Sequence, residues 1–314
     1  MRRACQAAED AFDTFRDPHP WRRARLLETI AHYRRLRGAV RLRVLGITDE
    51  SRLGRSTWLL RLRCTPDSAE QLAGALARRP DTAYVSVISG GTEVMCAMKP
   101  RTRQARDELL LDRLQRTPRV ISVSAHCLLH HFYGGPVGWL SKINALSLDE
   151  QAALRPPPVD PGTSPVVLED ADEELLAVLA RDGRASITEL RANTGLPEST
   201  VKRRLDRLRA TGILYLDVQF DHKQLGNDVV AILWLTVAPA ALANVGRALA
   251  SHPEVRFAAA TTGQANIVAA TLHAGTGDLY TYLSDKIGAL DGVRSVETAL
   301  TLREVKQLAY EPGR

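Results

Sequence analysis

The chain is predicted to be α+β, a winged helix-turn-helix combined with two ferredoxin-like βαββαβ domains. Three observations predict this. Landmarks recur at one constant spacing along the 314 residues. The segment between successive landmarks carries the same order of strand-like and helix-like runs in both copies. A separate stretch of three short helical patterns, the third one basic, precedes the second copy.

The repeat opens with Asp49-Glu-Ser-Arg-Leu-Gly54 in one copy and Asp221-His-Lys-Gln-Leu-Gly226 in the other. An apolar, strand-like run follows each, Trp58 to Leu62 and Val229 to Val237. A helical stretch then ends near Pro80 or Pro253. A glycine turn comes next, Gly90-Gly-Thr-Glu93 against Gly263-Gln-Ala-Asn266. Both copies close on a strand, at Val120–Val123 and Val293–Val296. Proline, turn and closing strand are each displaced by 173 residues (253 − 80, 263 − 90, 293 − 120). Leu242, Val245 and Leu249 form the apolar stripe of one helix, and Tyr282, Leu283, Ile287 and Leu290 that of the next. Two helices on one face of a four-stranded sheet leave the other face bare. Pairing of the two bare faces is therefore expected.

Before the second copy, Leu175, Leu176 and Leu179 mark a first helix ended by Gly183. Ser186-Ile-Thr-Glu189 has capping-box spacing and starts a second, ended by Gly195. A third helix starts near Pro197, a good first-turn residue, and runs to Gly212. Val201, Leu205 and Leu208 share one face of it. Thr200, Lys202, Arg203, Arg204 and Arg207 are then expected to point outward. That geometry would place hydroxyls and guanidiniums against phosphates and base edges in a major groove. Residues 213–220 read as a wing strand.

Composition agrees with folded domains: 45% apolar and 25% charged residues, with a net charge of +6 (42 basic minus 36 acidic). The basic excess is a modest pointer to a polyanionic partner. There is no apolar run long enough for a membrane helix, and Glu9, Asp10 and Asp13 stand where a signal peptide needs an apolar stretch. A cytoplasmic protein without a membrane partner is expected. Cys5, Cys64, Cys96 and Cys127 form no CxxC pair, which fits a reducing compartment and gives no zinc site. By the repeat spacing Cys96 matches Ala269 and Cys127 matches Leu300, so buried packing is expected of both.

The residues Asp182-Gly-Arg-Ala-Ser-Ile-Thr-Glu-Leu190, Thr194-Gly-Leu-Pro-Glu-Ser-Thr-Val-Lys-Arg-Arg-Leu205, Ala210-Thr-Gly-Ile213 and Leu225-Gly226 resemble the Lrp/AsnC (feast/famine) family of transcriptional regulators. The resemblance covers roughly residues 170–306 as a whole regulator. It implies a DNA-binding winged helix followed by a RAM-type ligand-binding domain that dimerises through its sheet. It also implies an amino-acid-like effector near a Thr-Gly-x-x-Asp turn between subunits. Here that turn is Thr262-Gly-Gln-Ala-Asn266, with Asn in place of Asp, and the first copy has Gly90-Gly-Thr-Glu93. Tyr33-Arg-Arg-Leu-Arg-Gly-Ala-Val-Arg-Leu42 resembles the end of a second, truncated recognition module. Arg22, Arg23, Arg25, Arg34 and Arg35 lie in or just before it as possible phosphate contacts.

The expected organisation is a degenerate helix-turn-helix at 1–48, a first βαββαβ domain at 49–148 and a Pro-rich linker at 149–166. A winged helix-turn-helix at 167–220 and a second βαββαβ domain at 221–314 complete it. Ser186, Ser199, Thr200, Lys202, Arg203, Arg204 and Arg207 are the expected DNA-binding residues. Gly91, Glu93, Gly263 and Asn266 are the expected effector residues. Double-stranded DNA, a small amino-acid-like effector and a second copy of the chain are the expected partners. The expected protein is a regulator responding to that effector and no enzyme, with no catalytic residue, cofactor or metal. One rival also fits this architecture: sirohaem decarboxylases resemble it, with a tetrapyrrole in the cleft between two such units. His126, His130 and His131 would be the residues to suspect there. The SxxK spacing at Ser199–Lys202 lacks its companion motifs and lies on the recognition helix, so acyl-transfer chemistry is not expected.

Overall fold

The structure is a computed structural model that describes residues 42–135, 166–219 and 221–308. The linker and most of the degenerate module, with its five named arginines, lie outside the described residues. The chain forms two compact units. Among the described residues, one holds 42–47 with 169–219 and 221–225, and the other holds 48–135, 166–168 and 226–308.

The larger unit contains both repeats. The first runs β2 (Trp58–Cys64), α1 (Ala69–Ala77), β3 (Thr82–Ile88), β4 (Glu93–Met98), α2 (Arg103–Asp107, continued as a wider π turn over Glu108–Arg113) and β5 (Val120–Tyr133). The second runs β7 (Val229–Val237), α6 (Leu242–Ser251), β8 (Val255–Thr261), β9 (Ile267–His273), α7 (Thr276–Thr281, widened over Tyr282–Ile287) and β10 (Val293–Lys306). Each repeat is the predicted split βαβ sheet. Their strands join into one closed barrel, β10-β3-β4-β2-β5-β8-β9-β7. Closure depends on the two 14-residue strands. The first part of β5 pairs with β2, and its last residues pair with β8, Leu128 opposite Thr261. Likewise β10 pairs first with β7 and then with β3, Thr301 opposite Ile88.

Alternation along β2 sorts its side chains between two cores. Leu60, Leu62 and Cys64 face the helices and pack with Leu72, Leu76 and Leu109. Leu59 instead joins Ala83, Met95, Ile232, Trp234, Ala259, Val268 and Ala299 in a cluster drawn from both repeats. The two bare sheet faces thus cover each other, as expected. Cys96 is fully buried, and burial pushes its thiol up to about 12. Cys127 departs from its expectation. It is only partly buried, because it sits where β5 leaves one sheet for the other.

The smaller unit holds α3 (Asp170–Leu179), α4 (Ile187–Thr194), α5 (Glu198–Ala210) and β6 (Leu214–Gln219). Its second strand is β1 (Arg43–Thr48), which pairs with β6. Residues 43–47, expected to close a first module, therefore complete the winged helix of the other. Glycine makes this possible. A Cβ on Gly183 would lie 2.8 Å from the Leu45 carbonyl carbon, and one on Gly46 would lie 2.7 Å from Leu179 Cβ. The Gly183 N–H donates to the Val44 carbonyl at 2.8 Å.

Candidate nucleic-acid interface and effector turns

Helix α4 starts as its capping box predicts. Ser186 Oγ accepts from the Glu189 N–H, and Glu189 Oε2 accepts from the Ser186 N–H at 2.7 Å. Ser186 is therefore spent on the cap. Gly195, at φ 67°, ends the helix in the left-handed conformation. Helix α5 buries Val201, Leu205 and Leu208 and leaves Ser199, Lys202 and Arg203 exposed, with Thr200 partly so. Lys202 is held by Glu198 one turn away, at 2.6 Å. Arg203 makes no ion pair among the described residues.

Arg204 and Arg207 are a correction. They were expected to face DNA, yet both turn back onto Asp172 of α3. Arg204 also donates to Glu169 at 2.7 Å. Asp172 is fully buried at the foot of the first helix. Burial would raise its carboxyl, but the Glu169 N–H and the two guanidiniums outweigh that and hold it below the usual range. The two arginines brace α5 against α3. Periodicity alone could not separate them from Arg203, because an intermediate helix face serves water or a neighbour equally well.

The two glycine turns differ. At Gly90 and Gly91 an added Cβ would meet nothing within 4 Å. Glu93 follows, buried at the start of β4, and accepts from Ser89 Oγ at 2.9 Å. Arg61 Nη2 donates to both Glu93 oxygens at 2.9 and 3.0 Å and to Glu297 Oε1 at 2.7 Å. The Arg61 guanidinium holds Glu297 below the usual carboxylate range, against a smaller opposing effect of burial. The same guanidinium lies over the Trp234 ring, 5.0 Å from its centroid.

At the other turn a Cβ on Gly263 would fall 2.4 Å from His126 Nδ1. His126 bonds the Thr262 carbonyl at 2.8 Å, and its ring centroid is 5.3 Å from that of Trp234. Asn266 accepts from the Val237 N–H and donates to the Val237 carbonyl, both at 2.8 Å. Its amide is consumed in closing the strand end, and His126 covers the glycine. Gly263 and Asn266 therefore present no open recognition group, unlike Gly91. Sequence reasoning missed Arg61, Trp234 and Glu297. The signal for Arg61 was present, a lone cation inside the apolar run Trp58–Leu62. His130 stands edge-on to Phe132 and His131 to Phe257, so the three histidines suspected for tetrapyrrole chemistry engage different partners.

Family models match two segments: a winged helix-turn-helix DNA-binding model over residues 168–215 and the Lrp/AsnC ligand binding domain over 230–310. An uncharacterised HTH-type transcriptional regulator of Pyrococcus abyssi, PYRAB01370, is 31% identical over 146 residues, covering 92% of that protein and 46% of this chain. The chain belongs to the Lrp/AsnC family. The HTH-type transcriptional regulator FL11 of Pyrococcus furiosus is 27% identical, over 97% of its length and 46% of this chain. The Lrp/AsnC match thus spans about half of the chain, as a doubled form requires, and the chain is a DNA-binding transcriptional regulator of that type. Among the described residues no helix is long and apolar enough to cross a membrane.

Solved structures add a correction. The sirohaem decarboxylase NirDL matches 93% of this chain and 84% of its own, with a TM-score of 0.61 at 14% identity. Its complex with an iron-uroporphyrin III analogue matches 91% of this chain with a TM-score of 0.62. The expectation that the chain is no enzyme does not stand. It rested on the recognition helix, and an enzyme has the same fold over a span too long to omit the winged helix.

Proposed function

We propose that this Lrp/AsnC protein reads a specific DNA sequence through α5 and acts as a homodimer. The observation that carries this is the sidedness of α5: Val201, Leu205 and Leu208 buried, Ser199, Lys202 and Arg203 exposed. Two chains bring two such helices to half-sites about one DNA turn, ~34–36 Å, apart. The effector place of the fold falls at the first repeat's turn, where Gly91 is open and Glu93 supplies an acid. Duplex binding across a salt series tests the DNA half. Specific retention with a steep salt slope, weakened by Arg203→Glu, is the expected result. Lack of salt-sensitive binding to any duplex would end it.

The match to NirDL over nearly the whole chain favours a second reading, in which the barrel unit takes an iron tetrapyrrole as substrate. Titration with an iron uroporphyrin distinguishes the two. A shifted visible absorption band followed by loss of carboxyl groups supports the enzyme, and an unchanged spectrum removes it.

A further inference from the structure

Two features of the Glu93 turn belong together. It is open on its glycine side, and its acid is already taken. Arg61 reaches Glu93 and Glu297 with its guanidinium and lies against Trp234, and Ser89 supplies a hydroxyl to the same Glu93 oxygen. An anionic pair, an aromatic face and a hydroxyl are what a site for a free guanidinium or amine would offer. The occupant here is a side chain of the same protein. The indole N–H of Trp234 is buried and bonded to nothing among the described residues, so this compartment also holds an unused donor. The matching place in the second repeat has no such cluster. Glu93, Arg61 and Glu297 correspond there to Asn266, Trp234 and Ser124 at the 173-residue spacing.

We propose that Arg61 is a built-in cationic ligand of the Glu93 turn, which occupies the place of an effector's amino group and makes the turn unresponsive to free zwitterionic amino acids. This rests on the assignment of that turn as the effector place. A tethered cation acts at an effective concentration of about millimolar or above, which a free amine must exceed before it gains Glu93. A free amino acid would also bring its carboxylate beside two others. A cation without a carboxylate has no such penalty once Arg61 is removed.

Calorimetric titration of the full-length protein with ethylguanidinium and agmatine tests this, beside a panel of free amino acids. The variants are Arg61→Ala, Arg61→Met, which keeps a stem against Trp234, and Arg61→Met with Glu93→Gln. The wild type is expected to bind none of the panel at millimolar concentration. Arg61→Ala or Arg61→Met is expected to bind the guanidinium probes roughly tenfold more tightly or better. Glu93→Gln is expected to abolish that gain. Wild-type binding of an amino acid with Glu93-dependent affinity would overturn the built-in ligand and leave the effector place standing. Folded Arg61 variants that bind no cation would overturn both.

Discussion

Arg61 and Trp234 occupy the same position in their respective repeats, 173 residues apart, and the guanidinium of one lies over the ring of the other. Where two identical chains pair about a two-fold axis, such a residue meets its own copy. Two arginines there would repel. Joining the repeats in one chain frees the two positions to differ, and here they have become complementary.

Removing Arg61 leaves the buried Glu93 with only the exposed Arg63, whose Nε lies 3.9 Å away. Arg61→Met is expected to destabilise the fold by about 3 kcal/mol, as loss of one partner of a buried pair does. Arg61→Met combined with Glu93→Gln should recover more than half of that. Denaturant unfolding of the two singles and the double closes the cycle. Additive losses would show that the pair is not coupled.

Asp172 gives a second contrast. Arg204→Met together with Arg207→Met should cost about 3 kcal/mol by stranding the buried carboxylate. Arg203→Ala, one position away, should stay within about 0.5 kcal/mol while weakening DNA binding. The folded carboxyl titrates below its unfolded value, so its contribution is complete above about pH 4 and is lost as pH falls through the folded value. A loss of stability for Arg203→Ala equal to that of the Arg204/Arg207 double variant would contradict this division of labour.

Backbone conformation separates the repeats at one further position. Arg119 has φ 70°, and its counterpart Gly292 has φ 91°. Arg119→Gly should therefore stabilise the protein by about 0.5–1 kcal/mol, because a left-handed L residue is strained by roughly that much or more. Gly292→Ala should destabilise it, since the new Cβ would lie 2.3 Å from Ala241 Cβ. Thermal unfolding of both reads the opposite signs.

His273 is buried in the second repeat, with Nε2 2.9 Å from Thr271 Oγ1. Burial lowers its folded value and outweighs the raising effect of Glu254 and Asp278. In the unfolded chain it takes a proton near pH 6.5, and in the folded chain only at lower pH. Its contribution is thus complete above about 6.5 and declines below that. His273→Gln should flatten the stability profile between about pH 7 and 5. An unchanged slope would assign the titration elsewhere.

Much of this was readable in the residues themselves. The repeat spacing gave both βαββαβ units, and the spacing of Ser186 to Glu189 gave a helix start that the atoms reproduce. Less accessible were facts that depend on which distant segment arrives where. Nothing local to Arg43–Thr48 says that its partner is Leu214–Gln219. Nothing local to Arg204 says that Asp172 lies beneath it. The Gly263 turn matched a recognition pattern, and only the approach of His126 from the other repeat shows it covered.

Closure of the barrel by β10 on β3 also sets an order of events during synthesis. Residues 85–88 wait for residues 301–306, the last strand among the described residues, before their edge is paired. Lys306 then fixes the closure, donating from its buried ammonium to the Arg79 carbonyl at 2.9 Å. Until the ribosome has released that strand, the first repeat holds an open strand edge beside an apolar sheet face, the kind of surface that invites aggregation. The first repeat therefore stays exposed until this late strand arrives, and losing residues 301–306 would do more harm than their small number suggests.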